Sequence, residues 1–529
     1  MSNEGRARPG WPAQARAPMA ARFMVQTQGR WIEMAGAGAA RHSGPLTAED
    51  IAAGRMTPAL IMAATVSAIA SLLYGYDTGI ISGALLQIGH QFHIGTGWES
   101  VIAASILLGA IIGALSCSRL SEVLGRKRTL LIISLIFVVG TLASSLSPTP
   151  LLLSLSRIVL GFAVGGATQT VPMYVAELAP PRRRGALVLT FQVGIGVGIL
   201  VSTIVGALQL FDWRVAIGMA AAPAALLFLL GLALPESPRW LVGRDRYEEA
   251  RAVLTRIRPA GVNVTPELQS IIEIEQEELE AGERGGWSGL FQPWVRPALI
   301  VGCGIAAFTQ LSGIEMIVYF APTILTDNGF STTAALNVSV GLGLSYLVMQ
   351  IIGMAIVDKV GRRRLTLIMV PGAAISLFVL GTLFITGNTD RHTVAFIIGS
   401  IILFMLFNAG GLQLMGWLTG SEIYPLAVRG AGTSAQSATL WGTNLLITLT
   451  LLPILEAIGA GATMWMYGIF NVIAWVFIYR RMPELTGHSL EQIEQQLHFG
   501  KFRPKDFADL REEGQFGLHY HPQSAQGLV

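Results

Sequence analysis

Long apolar segments are the feature that most constrains the fold of this chain. About twelve of them are long enough to cross a bilayer, and polar stretches separate them. The bilayer core has no water to bond free backbone groups, so continuous apolar runs of this length predict membrane-spanning helices. The predicted crossings lie roughly at 58–86, 98–118, 129–147, 150–173, 186–208 and 214–234, and then at 298–326, 335–357, 366–386, 393–420, 431–454 and 461–479.

The composition agrees with a polytopic membrane protein. Only 13% of the 529 residues are charged, whereas soluble domains carry about 25%. The net charge of +3 is small, so we expect no nucleic-acid partner. The two cysteines lie in apolar segments, and no metal-ligand cluster, phosphate loop or nucleophile–base set stands out. We therefore expect no metal, no cofactor and no enzymatic activity.

A polar stretch divides the crossings into two groups of six. The predicted organisation is a disordered cytoplasmic tail at 1–55, a six-helix bundle at 56–234, cytoplasmic linker helices at 235–297, a second six-helix bundle at 298–482 and a cytoplasmic tail at 483–529. The basic clusters all fall in loops on one side of the membrane, and the opposite loops hold only Arg214 and Arg391 near the membrane. Because such clusters mark cytoplasmic loops, both termini are predicted to be cytoplasmic.

The two halves repeat three loop motifs in the same order. The matched pairs are Leu124-Gly-Arg-Lys-Arg128 with Val360-Gly-Arg-Arg-Arg364, Glu177-Leu-Ala-Pro-Pro-Arg-Arg-Arg184 with Glu422-Ile-Tyr-Pro-Leu-Ala-Val-Arg429, and Pro235-Glu-Ser-Pro-Arg239 with Pro483-Glu-Leu-Thr-Gly487. A parallel repeat of two six-helix units predicts a substrate site between the halves, near the midplane, that rocking opens to each side.

Charged residues recur at the cytoplasmic ends of the repeated helices. They are Glu122, Arg126, Glu177, Arg184, Asp358, Arg362, Glu422 and Arg429. Opposite charges here can hold the halves together in one state and release them in another, so we interpret this set as gating residues. The alternative is that the arginines only set the topology, although this would not explain the regularly placed glutamates.

Asp77 is the single charge in the first apolar run. A carboxylate at that depth costs at least ~2.5 kcal/mol on insertion-based scales, so it must face a protein interior or a wet cavity and have a partner. An ionisable group in this position is therefore a candidate functional site.

Several motifs together resemble the sugar porter family of the major facilitator superfamily. They are Gly75-Tyr-Asp-Thr-Gly79, Gly125-Arg-Lys127, Arg157 in Ser-Arg-Ile-Val-Leu-Gly, Pro172-Met-Tyr-Val-Ala-Glu177, Pro235-Glu-Ser-Pro-Arg-Trp240, Asp358-Lys-Val-Gly-Arg-Arg363, Ser421-Glu-Ile-Tyr-Pro425 and Pro483-Glu-Leu-Thr-Gly487. The resemblance covers roughly residues 58–495. It implies an all-α fold of twelve transmembrane helices in two pseudo-symmetric bundles, and facilitated or proton-coupled movement of monosaccharides or polyols.

The resemblance also implies a proton-coupling pair. Asp77 matches the family's proton-binding acid, and Arg157, the only cation in the fourth crossing, matches its partner. An acid that pairs with a cation in one state and loses it in another can carry a proton. The alternative is a static ion pair that fixes helix packing. Gly75, Gly79 and Gly83 recur every four residues beside Asp77, and we interpret them as sites of close helix packing.

The resemblance further implies substrate-binding residues in both halves. The candidates are Gln192, Thr309, Gln310, Glu315, Tyr319, Gln413, Trp417 and Asn444. Isolated amides can bond sugar hydroxyls, and aromatic rings can stack on a sugar. Each residue could instead bond or pack between helices.

The seventh crossing departs from the family pattern Gln-Gln-x-x-Gly-x-Asn. It carries Thr309 in place of one amide and Glu315 in place of the Asn, and Gln413-Leu414 replaces the usual Gly-Pro near the tenth crossing. Glu315 could accept two sugar hydroxyls, bind a second proton, or bind a cationic solute. It could also be a structural acid with no ligand contact.

Together these features predict a proton-coupled importer of a monosaccharide or polyol. The alternatives are a uniporter, which Asp77 opposes, and a non-transporting sugar sensor. The expected partners are the sugar or polyol, protons and the lipid bilayer, and we expect a monomer. The richness in Ala, Gly and Arg hints at a high-GC bacterial source and hence at the inner membrane.

Overall fold

A computed structural model describes residues 56–180, 184–281, 286–386, 391–425, 428–486 and 490–507. Within these ranges the secondary structure is helical, in two groups of six crossings joined by short helices. The tail predicted at 1–55 and the end of the chain from residue 508 lie outside the described residues.

The first group of crossings contains five continuous helices and one broken one. The continuous helices are Pro58–Phe92, Thr96–Leu124, Arg126–Ser145, Pro150–Leu178 and Arg184–Leu208. The sixth crossing consists of Trp213–Gly218 and Ala221–Ala233. The break falls just before Pro223, which cannot donate a backbone hydrogen bond to the preceding turn. Four shorter helices follow between the groups: Pro238–Val242, Tyr247–Ile257, Thr265–Ala281 and Gly286–Leu290.

The second group begins with the seventh crossing. Its helices are Arg296–Leu311 and Ile314–Asp327 for the seventh crossing, Thr332–Val360 for the eighth, Arg362–Thr386 for the ninth, Arg391–Gly410 and Leu412–Glu422 for the tenth, and Arg429–Arg481 for the last two. A further helix, Leu490–His498, follows.

The helix Arg429–Arg481 contains two crossings rather than one. At 1.5 Å per residue its 53 residues would span about 80 Å, far more than a bilayer. Its backbone leaves helical geometry at Gly459, where φ is 80° and ψ is 162°. The described residues contain eleven helices long and apolar enough to cross a membrane, and this kink turns the eleventh into two crossings. The predicted twelve-helix fold is therefore confirmed.

Breaks within the seventh and tenth crossings differ from the continuous segments that the apolar pattern predicts. In the seventh, Gly313 adopts a left-handed conformation with φ 93°, which is accessible to glycine at little cost. In the tenth, Gly411 has φ −114° and ψ −98°. Apolar composition continues through both breaks, so hydropathy does not reveal them. Each break creates a new helix N-terminus inside the bundle.

The repeated loop motifs form the same structure in each half. Gly125 and Gly361 both have positive φ, 95° and 101°, between two crossings. Glu236 accepts backbone N–H bonds from Arg126 and Lys127 at 2.8 and 3.1 Å, and Glu484 accepts one from Arg364 at 3.2 Å. A carboxylate at a helix N-terminus satisfies free N–H groups and favours the helix dipole. The sequence repeat is thus a repeat of helix caps.

Close packing of the first crossing on the fifth follows from its glycines. A Cβ on Gly75 would lie 2.0 Å from the carbonyl oxygen of Ile195, and one on Gly79 would lie 2.1 Å from Oγ of Ser202. A Cβ at Gly75 would clash with the backbone of the fifth crossing, and one at Gly79 would force the side chain of Ser202 to move. The packing interpretation holds for these two glycines, whereas a Cβ on Gly83 would make only ordinary contacts at 3.5 Å.

The two halves touch at both ends of the bundle. At the end opposite the basic loops, the hydroxyl of Thr96 donates to Oε1 of Glu456 at 2.7 Å. Toward the basic loops, the amide of Gln169 donates to the hydroxyl of Ser437. A hydrogen bond therefore joins the halves at each end of the bundle.

Candidate functional site

Asp77 and Arg157 form an ion pair deep in the first half. Nη1 and Nη2 of Arg157 lie 3.4 and 3.5 Å from the two carboxylate oxygens of Asp77. Nε of Arg157 also donates to the carbonyl oxygen of Ile102 at 3.0 Å. Asp77 is 4% exposed and Arg157 is fully buried. The acid and the cation are 80 positions apart in sequence, and the structure brings them together as the family resemblance implies.

The position of this pair follows from the first crossing. Every residue from Leu73 to Leu85 is buried, so this helix is enclosed on all sides at that depth. A helix enclosed in this way occupies the centre of its bundle. Asp77 therefore faces protein and not lipid. A cavity of about 10 Å³ beside it is lined partly by Tyr74, Tyr319 and Trp441.

Glu315 occupies the helix N-terminus that the break at Gly313 creates. It is the second residue of Ile314–Asp327, whose cap has no side-chain hydrogen bond. Negative charge at such a site is worth about 0.3–2 kcal/mol, which offsets part of the cost of burial. Glu315 is 4% exposed, and its Oε2 atom has no hydrogen-bond partner among the described residues.

The hydroxyl groups of three tyrosines lie within electrostatic range of Glu315. Tyr74 comes from the first crossing, Tyr319 from the seventh and Tyr346 from the eighth. Tyr346 in turn lies beside the amides of Gln413 and Gln350. Tyr319 also lines the cavity beside Asp77, so it is within electrostatic range of both buried acids.

The second half contributes a group of buried polar atoms that lack protein partners in the described structure. They are Oε1 of Gln310, Oε2 of Glu315, both amide atoms of Gln350, both of Asn408, Oε1 of Gln413, Nε1 of Trp441 and Nδ2 of Asn444. Most buried polar atoms in folded proteins are hydrogen-bonded, so unpartnered ones are candidates for contacts with a polar ligand. We call these seven residues the polar wall.

Aromatic rings beside the polar wall pack against the first half. Tyr74 and Trp441 contact each other edge to face, with ring centroids 5.5 Å apart. Trp417 packs against Trp441 in the same way, at 6.3 Å. Tyr74 belongs to the first half and the tryptophans to the second, so this contact joins the halves at the centre of the molecule.

Two of the predicted substrate residues, Thr309 and Gln192, are not among the seven residues of the polar wall. The hydroxyl of Thr309 bonds the carbonyl oxygens of Ile305 and Leu412 at 2.8 and 3.2 Å, so it holds the seventh crossing to the tenth. Gln192 is half-buried in the fifth crossing, and it is not part of the polar wall. Of the remaining candidates, Trp417 packs against Trp441, Tyr319 lines the same cavity as Trp441, and Gln413 lies beside Tyr346.

Five residues at this site were not predicted. They are Tyr74, Tyr346, Gln350, Asn408 and Trp441. Gln350 and Asn408 are isolated amides in apolar crossings, the same signal that identified Gln192 and Asn444. Tyr74 and Trp441 lie three residues before Asp77 and Asn444, on the same helix faces. Both signals were present in the sequence.

The gating candidates pair within each half in this conformation. Nη2 of Arg126 lies 2.9 Å from Oε1 of Glu177, and the same atoms of Arg362 and Glu422 are 2.9 Å apart. Arg362 has a second acid, Asp358, at 2.7 Å. These bonds tie the turn after the second or eighth crossing to the end of the fourth or tenth, rather than one half to the other.

The other three gating candidates are Glu122, Arg184 and Arg429. The side chain of Glu122 is exposed, and Nε of Arg429 donates to the carbonyl oxygen of Tyr424 at 3.2 Å. The side chain of Arg184 lies outside the described residues. The gating role of the whole set stays a prediction.

Comparison with known proteins identifies similar chains over most of this length. A family model described as "Sugar (and other) transporter" matches residues 63–497. A D-xylose transporter of Levilactobacillus brevis is 39% identical, over 81% of this chain and 94% of the relative. The major myo-inositol transporter IolT of Bacillus subtilis is 32% identical, over 85% and 95%.

A solved structure shares the fold. The proton:xylose symporter XylE from Escherichia coli, bound to 6-bromo-6-deoxy-D-glucose, superposes with a TM-score of 0.70 at 27% identity. The superposition covers 83% of this chain and 99% of XylE.

Proposed function

Because the chain belongs to the sugar porter family of the major facilitator superfamily, a family of membrane transporters and not of enzymes, we propose that it imports a monosaccharide or polyol together with protons. Transport proceeds by alternating access, in which the two halves rock about a central site. The buried pair of Asp77 and Arg157 is the observation that carries this proposal.

The proton role rests on the contact between Asp77 and Arg157. A nearby cation favours the ionised form of an acid, and burial without a cation favours the protonated form. In this structure Nη1 of Arg157 lies 3.4 Å from Oδ1 of Asp77. Rocking that moves Arg157 away leaves Asp77 buried without a cation, so Asp77 binds a proton in that state and releases it when the contact forms again. XylE, described as a proton:xylose symporter, supports this reading.

The substrate class rests on the polar wall. Amide and carboxylate groups beside aromatic rings are suited to a ligand that carries many hydroxyl groups on a compact ring. The relatives named for D-xylose and myo-inositol support a pentose, hexose or cyclitol of this kind.

The location follows from the basic loops. We propose that both termini are cytoplasmic, because the basic clusters fall on one side. The proposed setting is a monomer in a bacterial inner membrane, as the richness in Ala, Gly and Arg hints at a high-GC bacterial source. Reporter fusions in the loops at Arg126 and Arg391 should report opposite sides of the membrane.

Uptake of a sugar and polyol panel, with external pH recorded, tests the function. We expect one substrate to accumulate against its gradient and to make the medium more alkaline as it enters. In Asp77→Asn, accumulation should fall to equilibration while downhill exchange continues, because the proton carrier is gone. Glu248→Gln, an exposed acid of the linker helix Tyr247–Ile257, is the matched control and should behave as wild type.

Other outcomes identify the alternatives. Undiminished accumulation in Asp77→Asn rules out its proton role. Uptake without accumulation in the wild type indicates a uniporter, and binding without uptake indicates a sensor.

A further inference from the structure

Four arginines lie at the ends of two neighbouring helices, on the side of the basic loops. Arg363 and Arg364 are in the first turn of the ninth crossing. Arg480 and Arg481 are the last residues of the twelfth. Nη2 of Arg363 donates to the carbonyl oxygen of Tyr479 at 2.9 Å, and its guanidinium group lies 5.5 Å from the centre of that ring. This contact brings the two pairs of arginines together, and we call these four residues the arginine patch.

Aromatic rings hold the two helices together beside the patch. Trp475 and Tyr479 stack, with ring centroids 5.4 Å apart and the ring planes inclined by 8°. Nε1 of Trp475 donates to the carbonyl oxygen of Leu367 in the ninth crossing at 3.1 Å. Tyr479 is 55% exposed. Tryptophan and tyrosine are enriched where a membrane meets water, so these rings place the patch at the depth of the lipid headgroups.

The patch continues the lipid-facing surface of both helices. Ile368 and Ile375 are exposed on the ninth crossing, four and eleven residues after the exposed Arg364. Ile473 is exposed on the twelfth, seven residues before the exposed Arg480. Residues at these spacings share one face of a helix, and exposed apolar side chains of a membrane-spanning helix contact lipid chains. Arg364 and Arg480 therefore lie where those lipid chains meet their headgroups.

The described structure does not neutralise the patch. Arg364, Arg480 and Arg481 are exposed, and their side chains make no hydrogen bond or ion pair with the described residues. Nε of Arg363 is buried and also has no hydrogen-bond partner there. Glu484 is an acid within electrostatic range of Arg363, but one carboxylate cannot balance four guanidinium groups. The patch therefore offers positive charge and free N–H donors to an anion.

The first half does not repeat this arrangement, although it repeats the fold. Arg128 matches Arg364 by its place in the repeated loop motif, and it is also exposed. At the end of the sixth crossing, however, Leu232 and Ala233 match the two arginines of the twelfth by their distance from the repeated Pro-Glu motif. Basic residues in the loops of both halves suffice to set the topology. Topology alone therefore does not explain why one half has arginines on both helices.

We propose that the arginine patch binds the headgroup of an anionic phospholipid, in the leaflet on the side of the basic loops. Guanidinium groups form paired, charge-assisted hydrogen bonds with a phosphate, and basic pockets between membrane-spanning helices suit anionic headgroups. The acyl chains of such a lipid lie along the apolar surface that continues from the patch. A zwitterionic lipid has the same phosphate with a compensating cation, so the patch discriminates by net charge.

Lipid binding to the purified full-length protein tests the proposal. Native mass spectrometry measures the affinity for the first molecule of dioleoylphosphatidylglycerol, which is anionic, or of dioleoylphosphatidylcholine, which is zwitterionic. We expect the wild type to bind the anionic lipid at least ~10-fold more tightly, because each basic residue near the surface contributes about fivefold. In Arg364→Gln/Arg480→Gln/Arg481→Gln, affinity for phosphatidylglycerol should fall ~10- to ~100-fold.

A matched pair of single variants provides the control. Arg364→Gln and Arg128→Gln each remove one exposed arginine from the same place in one half. We expect affinity for phosphatidylglycerol to fall ~5-fold in Arg364→Gln and less than ~2-fold in Arg128→Gln. All variants must be monodisperse in detergent. If the triple variant fails this requirement, Arg364→Gln and Arg480→Gln decide, since each removes a side chain that is not bonded to the described residues.

Four outcomes would overturn the proposal. Equal wild-type affinity for the two lipids shows that the patch does not select net charge, and an unchanged affinity in the triple variant places the lipid elsewhere. Equal losses in Arg364→Gln and Arg128→Gln indicate general attraction to the basic side. Displacement of phosphatidylglycerol by an equal concentration of inorganic phosphate indicates a site for a soluble anion. None of these measurements involves transport, so they are independent of the proposed function.

Discussion

Asp77 and Glu315 are both 4% exposed, but their surroundings assign them different chemistry. Asp77 faces a guanidinium group that holds both of its oxygens. Glu315 faces tyrosines and a helix N-terminus, and one of its oxygens has no partner among the described residues. A contact that can open suits proton exchange, whereas an unpartnered acceptor suits a ligand that donates.

The loop arginine Arg362 pairs with two acids, whereas its counterpart Arg126 pairs with Glu177. This difference predicts that removing one acid destabilises the two loops unequally. Glu177→Gln leaves Arg126, which is 13% exposed, without its paired acid. Glu422→Gln leaves Arg362 with Asp358 at 2.7 Å. Removing one partner of a largely buried pair leaves an uncompensated charge. We expect Glu177→Gln to be less stable than Glu422→Gln by about 1 kcal/mol, measured as thermal stability in detergent.

Asp358→Asn provides the control for this comparison. The double variant Asp358→Asn/Glu422→Gln should lose as much stability as Glu177→Gln, because Arg362 then loses both acids. Equal effects of the two single variants would show that Asp358 does not compensate for Glu422.

At the scale of helices, the breaks in the seventh and tenth crossings organise the polar wall. Both breaks place a polar residue second in a new helix, Glu315 after Gly313 and Gln413 after Gly411. Discontinuous helices of this kind present N-termini to a substrate near the membrane midplane. The site is thus built from helix ends as well as from side chains.

The contact between the first and fifth crossings makes a second prediction at this scale. Gly75→Ala places a methyl group 2.0 Å from the backbone oxygen of Ile195, which cannot move without displacing the fifth crossing. Overpacking of this kind costs ~1–3 kcal/mol. We expect clearly reduced uptake and thermal stability.

Gly83→Ala is the matched control on the same helix. Its Cβ would meet atoms no closer than 3.5 Å, so it should transport at the wild-type rate. If the two variants behave alike, the close approach at Gly75 does not limit the function of this pair of helices.

At the scale of the whole molecule, hydrogen bonds at both ends join the two halves. Thr96 and Glu456 meet at one end, and Gln169 and Ser437 meet at the other. The caps formed by Glu236 and Glu484 brace each half internally. Rocking of the halves must therefore break one end contact at a time.

Crosslinking one end tests this motion. In a background without Cys117 and Cys303, a cleavable bifunctional thiol reagent should join Thr96→Cys to Glu456→Cys, because the native oxygens are 2.7 Å apart. We expect uptake to stop on crosslinking and to return on cleavage, since the end opposite the basic loops can no longer open. Each single-cysteine variant should keep its activity after the same treatment, and continued uptake by the crosslinked pair would contradict alternating access at this end.

Much of the fold follows from local patterns, and several site contacts do not. Hydropathy predicts all twelve crossings, and the loop motifs predict the repeat, because both depend on residues close together in the chain. The partner of Arg126 is different: local patterns place charges at the helix ends, but only the folded chain shows Arg126 paired with Glu177 inside one half. Such pairings depend on how helices meet, which local patterns do not contain.

The sequence by itself determined the membrane environment, the number of crossings, the two-fold repeat and the family, because a bilayer admits few solutions for long apolar segments. Only the tertiary structure decided where the seventh and tenth crossings break, since hydropathy does not mark which of the 60 glycines leaves helical geometry. It also decided which polar residues share one wall. Gln310, Gln350, Asn408 and Asn444 come from four crossings, and only the packing of those helices leaves polar atoms of all four buried without a protein partner among the described residues.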